Sequence, residues 1–527
     1  MTDTSAAAPS RRAGGLPDGV RVALDPRVRV HGAVVLGGSP WGVARLAPVA
    51  LALVVRARAE GPAGTSPRTP DERAAAGLLV ERGVLHPVVV PRPAQVEVVV
   101  PAYGRPDLLA ACLASLVGAS PGDAARVVVV DDASPTGDVA RVARAHGVRY
   151  LRHAANRGPA AARNTGLAAT SGEVVAFVDA DVTVPPGWLD GLAPLFDDPR
   201  VGAVAPRVLP RSATRTVLAR HELARSALDM GARRELVRHG SPLGFLPSAS
   251  LLVRRAALAD AGRDDPAGSG FDEAMRVGED VDLVWRLLRA GWHVRYEPAV
   301  QVHHEMRILP AQWARRRFEY GTSAAALDRR HPGRLAPARV SGWNLTAAVL
   351  VLAGRPWTGS AVALAATGAL ARRLRSAKVD PVLAGYVVGK GLLADGAALG
   401  HALRREWWPV GWVALLVAAR PGRGGSARRT TRTTRTTRTT RTARTAAAAM
   451  LAPVALEWWR TRPHLDPARY AVLRLVEDAA YGSGVLASAV RQRRLRVLTP
   501  QVRLPTWGAR AQPPLGGAAG ERSFSRR

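Results

Sequence analysis

The chain has 527 residues, 47% of them hydrophobic, which is enough for more than one domain with a sizeable core. Its formal charge of +32 is nearly all arginine, since Lys378 and Lys390 are the only lysines. No zinc-finger spacing and no aromatic RNA-binding pattern accompanies that charge, so no nucleic-acid partner is expected. Arginines beside apolar segments fit an anionic membrane surface instead. Cys112 is the single cysteine, which excludes an intrachain disulfide and is compatible with a reducing cytoplasm. The opening MTDTSAAAPSRRAGG lacks an apolar h-region, so no secretory signal is expected there.

Residues 1–20 are small, polar and broken by Pro and Gly, and read as disordered. Valine-rich runs separated by Asp-Pro, His-Gly and Gly-Gly then predict a small antiparallel sheet. Ala44 to Val55 reads as a helix. Thr69-Pro70-Asp71-Glu72 starts another, with a Thr cap, Pro at the first position and acids in the first turn, and Gly83 ends it. Residues 21–91 are thus expected to form a small α+β domain. From Val96 strands and helices alternate, the pattern of a parallel sheet, and this domain is assigned residues 95–330. Residues 337–420 are alanine- and leucine-rich. Four apolar stretches there, Trp343 to Gly354, Gly359 to Ala371, Leu383 to Leu399 and Trp407 to Ala419, fit a helical bundle, interfacial helices or marginal membrane spans. Residues 426–446 are a run of Arg-Thr-Thr units and read as a low-complexity linker. A C-terminal helical segment is expected over 447–504, and a disordered tail over 505–527.

The stretch VVAFVDADV, Val174 to Val182, is a buried strand followed by Asp179 and Asp181. Ligands of open α/β sheets lie outside the carboxyl ends of the strands, and two acids there point to a divalent cation with a phosphorylated ligand. An earlier strand, RVVVVDDAS, also ends in paired acids, Asp131 and Asp132. Between the two lies the turn NRGPAAARNTG, and downstream comes GEDVDLVWRLLRAGWHVRYEP. Together with VVVPAYGRPDLLAACLASL and FLPSASLLVRR, these stretches resemble the family 2 glycosyltransferases over Val96 to about Met306.

That resemblance implies a GT-A fold, a Rossmann-like α/β core, here with a small N-terminal winged-helix-like domain and a C-terminal helical region. It implies a nucleotide-sugar donor and a Mg2+ or Mn2+ ion. Asp179 is expected at the ribose and Asp181 at the metal, with His303 as a further ligand and His304 as its competitor. Asp132, with Asp131 beside it, is expected at the uracil near Pro101, Ala102 and Tyr103. Gly158 and Arg163 are expected at the pyrophosphate, where arginine suits bidentate geometry. Asp280, next to Glu279 at a helix start, is the expected general base of an inverting transfer. Asp282 is read as a helix-capping acid. Processive members carry Q-x-x-R-W. Here Gln312 and Arg315 are present, Arg316 replaces the tryptophan, and Trp313 sits within the motif, so these three are candidate acceptor residues.

Three further stretches, DPRVRVHGAVVLGGSPWGVARLAP, RRRFEYGTSAAALDRRHP and DPARYAVLRLVEDAAYGSGV, are most similar to the mycofactocin-system members of that family. This implies UDP-glucose as donor, a mycofactocin precursor or aglycone as acceptor, a short β-1,4-glucan as product, and a place at the cytoplasmic face of the plasma membrane. Residues 21–91 are similar to PqqD-like peptide-recognition domains. The alternatives are a transferase for cell-envelope glycan or lipid-linked acceptors, a non-catalytic precursor-peptide-binding protein, and a nucleotidyltransferase. The intact Asp132, Asp179, Asp181 and Asp280 count against the binding protein, and the Gly-Glu-Asp helix against the nucleotidyltransferase.

Overall fold

A computed structural model describes residues 15–119, 123–212, 214–239, 241, 243–306, 309–352, 355–375, 381–420 and 431–503. They fall into two compact units, one within Met1–Ala213 and Arg225–Met306, the other within Thr214–Ala224 and Arg307–Gln512.

The first unit opens with β1 (Val22–Leu24), a hairpin sheet of β2 (Arg29–His31), β3 (Val34–Gly37) and β4 (Gly42–Arg45), helices α1 (Pro48–Glu60) and α2 (Pro70–Glu81), and β5 (Leu85–Pro87), which pairs with β1. Thr69 caps α2 by accepting the Glu72 N–H, as its sequence predicts. The helix expected from Ala44 starts instead at Pro48. Gly42–Arg45 is held in the sheet opposite Val34–Gly37, and Pro48 takes the first helical turn, where its missing N–H costs nothing. Part of the segment expected to be disordered is packed: Leu16 is buried in this small core and its N–H donates to Arg73. The expected disorder over 505–527 and before residue 15 lies outside the described residues.

The core domain is one mixed sheet. β6 (Glu97–Ala102), α3 (Pro106–Ala119), β7 (Val127–Asp131), α4 (Asp138–Ala145), β8 (Arg149–Arg152), α5 (Pro159–Ala168) and β9 (Val174–Val178) form the parallel half. The sheet continues through β10 (Val182–Thr183), β11 (Val201–Arg211), β12 (Glu235–Leu236), β13 (Ser250–Arg254) and β14 (His293–Glu305), in the order β10-β14-β11-β13-β9-β6-β7-β8, with β12 pairing β14 off this path. α6 (Val217–Ala224), assigned to the second unit, interrupts this run, while α7 (Arg255–Gly262) and α8 (Glu279–Arg289) follow β13. From β6 the chain winds to β7 and β8 on one side and then crosses to β9 on the other. The switch point between β6 and β9 is where a ligand of such a sheet sits. β11 has no strand-like sequence signal, because Pro206 and Pro210 interrupt it. The sheet absorbs Pro206 at a register shift against β14.

The second unit is helical: α6, α9 (Pro310–Arg330), α10 (Gly342–Leu352), α11 (Pro356–Arg375), α12 (Pro381–Arg404), α13 (Trp408–Ala418), α14 (Thr431–Thr461) and α15 (Pro467–Arg491), with a short parallel pair, β15 (Arg339–Ser341) and β16 (Gln501–Arg503). The expected domain end at residue 330 moves back, since α9 packs along α15 in this unit. The Arg-Thr run expected as a linker is helical from Thr431 onward. Threonine, the commoner residue of the run, is a weak helix former, so the helix owes more to the interspersed arginines and to the alanine stretch it runs into, whose backbone lies against α12. Residues 421–430 lie outside the described residues. Among those described, no helix is long and apolar enough to cross a membrane.

α9 and α15 touch backbone to backbone. A Cβ on Gly484 would lie 2.0 Å from the Phe318 carbonyl oxygen, and one on Gly321 2.1 Å from that of Tyr481. Overpacking of this kind costs about 1–3 kcal/mol. Gly484→Ala is therefore expected to lower the thermal unfolding midpoint of the helical unit by several degrees, as read by calorimetry. An unchanged midpoint would show that these helices are not in close contact.

Candidate active site

The site is built at the carboxyl ends of β6, β7 and β9. The valines of these strands are buried, apart from the partly buried Val174 at the start of β9, so the first polar groups after them emerge together at one sheet edge. After β6, Tyr103 is exposed, and Gly104 and Arg105 both take left-handed conformations, with φ 62° and 52°, before Pro106 opens α3. After β7, Ala133 is also left-handed, with φ 60°. Strain of this kind is kept where surrounding contacts demand it. Here the Gly104 N–H donates to Ser134 Oγ at 2.8 Å, tying the two turns together.

Asp131 and Asp132 work inside the protein. Asp131 is fully buried and accepts from the Ser134 N–H at 2.8 Å, Ser134 Oγ at 2.5 Å, Tyr150 Oη at 2.7 Å and Arg152 at 2.5 Å. Burial alone would raise its pKa. The hydrogen bonds and the Arg152 charge outweigh burial and hold the carboxyl below its usual range. These four donors occupy both oxygens, so Asp131 does not face a uracil as the sequence implied. Asp132 accepts the N–H groups of Arg157 at 2.8 Å and Gly158 at 2.7 Å, and pairs with His153 Nδ1 at 2.8 Å. It shapes the turn that enters α5 and keeps one acceptor position on Oδ2. Gly158, φ 93°, is that helix's N-terminal residue, followed by Pro159. Only glycine adopts this conformation without strain.

Arg163 is the largest departure from expectation. Expected at the pyrophosphate, it is 3% exposed with its guanidinium committed to protein carboxylates. Its guanidinium donates to Asp179 Oδ1 at 2.7 Å and Glu279 Oε1 at 3.0 Å, and lies 5.2 Å from the centroid of the Phe271 ring. It thus bridges the end of β9 to the start of α8. Asn164, the next residue, accepts the Phe271 N–H at 2.8 Å and donates to the Phe271 carbonyl at 2.9 Å, fixing the loop before α8. Sequence reasoning passed over Asn164 and His153, although both lie in or beside the quoted Asn-Arg-Gly turn.

Asp181 has Arg105 Nη1 at 3.2 Å on Oδ2 and His304 Nε2 at 3.4 Å from Oδ1. The partner is therefore His304 rather than His303. In the β10–β14 pairing, successive residues point to opposite faces, and His303 is turned outward and exposed. The carboxylate suits Mg2+ or Mn2+, and an imidazole this close beside it suits Mn2+ better than the harder Mg2+. Among the described residues no group of three or more His, Cys, Asp or Glu could hold a metal ion by itself.

At the start of α8, Gly278 is left-handed with φ 85°. Burial, and then the neighbouring Asp280 charge, push Glu279 up to about 7 against the attraction of Arg163. Burial also raises Asp280, against hydrogen bonds from the Val281 N–H at 2.8 Å and the Ser248 N–H at 3.3 Å. Two neighbouring carboxyls raised in this way are candidates for proton acceptance. Asp282 does more than cap. It pairs with Arg286 at 2.8 Å, both fully buried, and Arg286 also donates to the Gly268 and Gly270 carbonyls.

The candidate acceptor residues lie on α9, in the second unit. Trp313 is buried and its indole N–H donates to Glu222 Oε1 at 2.8 Å, so no open face remains for a sugar. Gln312 is exposed, and Arg315 pairs with Glu319 at 2.9 Å. Trp313 is instead part of a buried network in which Arg317 bridges Glu222 and Glu477, at 2.6 and 2.9 Å.

A parallel nucleotide half, an acid pair at its switch point and a second acid pair on a helix facing it define a glycosyl-transferring enzyme. The chain belongs to glycosyl transferase family 2, whose description matches residues 97–261. The Pre-mycofactocin glycosyltransferase of Mycobacterium tuberculosis is 36% identical over 512 residues, which cover 93% of this chain and 99% of that protein. The succinoglycan biosynthesis protein ExoU of Rhizobium meliloti is 33% identical over 215 residues, 38% of this chain and 58% of its own. A solved mannosyltransferase from Pyrobaculum calidifontis, in complex with GDP-Man and Mn2+, is 24% identical and covers 58% of this chain and 88% of its own, with a TM-score of 0.34.

The acid pair sets the pH response. Because both carboxyls are raised and only the ionised form accepts a proton, kcat/KM is expected to fall as pH drops below about 7, with apparent pKa values that belong to the pair. Glu279→Gln removes the neighbouring charge, so the acid limb should move to lower pH. A limb that stays in place, measured by product formation from pH 5 to 9, would separate Glu279 from the reacting base.

Proposed function

We propose that the enzyme transfers glucose from UDP-glucose, with inversion, to a mycofactocin precursor or aglycone and builds a short β-1,4-glucan. The observation that carries this reading is the Arg163 bridge, which holds Asp179 at the end of β9 to Glu279 at the start of α8, with Asp181 and Asp280 close beside them in the chain. The acceptor rests on the 36% identity, along nearly the full chain, to a protein called Pre-mycofactocin glycosyltransferase. In the reaction, Asp280 takes the proton of the acceptor hydroxyl as its oxygen attacks the anomeric carbon. The bond from that carbon to the diphosphate oxygen breaks on the opposite face, and UDP leaves with the electron pair. A Mg2+ or Mn2+ ion, when bound, supplies Lewis-acid stabilisation of the leaving diphosphate. Asp181 and His304 are the side chains that would hold it. Asp179, fixed by Arg163, is left with one oxygen for the ribose, and Tyr103 and Asp132 flank the place for the base.

Residues 21–91 are proposed to hold the peptide-derived part of the acceptor. β2 and β4 are both open edges of their sheet, and Trp41 is exposed beside β4. Extended peptides add to such edges. A lipid-linked acceptor is the second reading. It is favoured by the outward apolar residues of the helical unit, Trp357, Leu364, Val382, Leu393 and Leu416. These, with the arginine excess, also support a place on the anionic inner face of the plasma membrane.

Incubation with UDP-glucose, Mn2+ and the mycofactocin aglycone is expected to give mass shifts of whole hexose units on the aglycone. The same assay with Trp41→Ala should raise the acceptor KM and leave donor hydrolysis unchanged. A shift only on a polyprenyl lipid would favour the second reading, and an unchanged acceptor KM would remove the role given to the N-terminal sheet.

A further inference from the structure

Arg105 has no part in the reading above, yet it stands at the switch point with its guanidinium on Asp181 Oδ2, 3.2 Å away. Its backbone is in the left-handed region, at φ 52°, directly before Pro106 of α3. A residue at a helix N-terminus ordinarily takes an extended conformation, and a side chain in the left-handed region costs about 1–2 kcal/mol. Its carbonyl already accepts the Leu109 N–H, so helix entry is secured by the backbone. The arginine side chain is not needed for that.

The pair it makes differs from the buried Arg163 bridge in its exposure, and from the other exposed arginine pairs in its carboxylate, which is the acid proposed to hold the metal. Arg163 is buried and its charge is shared between Asp179 and Glu279. Arg152 and Arg157 are exposed like Arg105, but their partners are Asp131 and Glu273, neither of which is a candidate metal ligand. The side chain of Arg105 is 45% exposed while Asp181 is 17% exposed. An exposed pair of this kind contributes little, about 0–1 kcal/mol, and exchanges partners readily. A departing nucleoside diphosphate carries more negative charge than a divalent cation can balance when that cation is itself held by a carboxylate. A further cation at the same edge would complete the balance, and arginine suits phosphate oxygens bidentately.

We propose that Arg105 is a donor-diphosphate-binding residue that shares Asp181 Oδ2 with the metal ion and turns to the diphosphate when the metal takes that oxygen. This rests on the donor and metal reading of Asp181 given above. Arg105 competes with the cation for one carboxylate oxygen in the free enzyme and adds to the cation's work in the donor complex. The two effects have opposite signs, which separates this role from simple bracing of Asp181.

The test is calorimetric titration of the full chain, as wild type, Arg105→Ala and Arg105→Lys, with two probes: Mn2+ alone, and UDP in EDTA. Arg105→Ala is expected to bind Mn2+ alone more tightly than wild type and to bind UDP in EDTA about tenfold more weakly. Arg105→Lys should restore most of the UDP affinity. Unchanged UDP affinity in Arg105→Ala, or weaker Mn2+ binding, overturns the proposal, the latter by showing that Arg105 only braces Asp181. Failure of the underlying reading looks different: Asp181→Asn would then bind Mn2+ as well as wild type does.

Discussion

The site depends on one buried guanidinium. Arg163 lies between Asp179 and Glu279, out of solvent, and no arginine is kept there without partners. Removing one partner from a buried pair costs about 3–5 kcal/mol, because the remaining charge is left uncompensated. The bridge joins the end of β9, in the parallel half of the sheet, to the first turn of α8, which lies beyond the antiparallel strands. Of the outer carboxylates, Asp181 is thereby placed two residues from fixed Asp179, and Asp280 directly after fixed Glu279. The inner pair holds the geometry, and the outer pair carries the roles proposed above.

Much of this was legible in the sequence. Continuous valine runs ending in acids located β7 and β9 and the edge where their acids emerge, and the Gly-Glu-Asp run located α8 to within a residue. Three things were not legible, each for a physical reason. The partner of a buried arginine is set by tertiary packing, so Arg163 read as a ligand-binding residue. The choice between His303 and His304 depends on which face of β14 opposes β10, a one-residue question of register. β11 was hidden by its prolines. Trp313 could have been placed, since Trp313, Arg317, Gly321, Ala324 and Asp328 recur at helical spacing and all are buried. The processive-motif comparison overrode that stripe.

The helical unit shows the same economy with charge on a larger scale. Arg317, Glu477, Arg474, Asp478 and Arg404 form a continuous buried network across α9, α15 and α12. Such networks stabilise little compared with an apolar core but penalise wrong helix pairings, since any mismatch leaves a buried charge unpaired. Here the network coincides with the α9–α15 crossing, where Gly321 and Gly484 already require one close register. Segments poor in bulky core residues are thereby given a single arrangement.

The central claim is that Asp181 and Asp280 have separate duties on either side of the Arg163 bridge. It is tested most directly by measuring Mn2+-dependent UDP binding and glucosyl transfer on the same preparations of Asp181→Asn and Asp280→Asn. The account predicts that Asp280→Asn binds UDP nearly as wild type does and loses transfer by about 100-fold or more, while Asp181→Asn loses the metal-dependent part of UDP binding. Equal loss of UDP binding in both variants, or transfer by Asp280→Asn close to wild type, would contradict it.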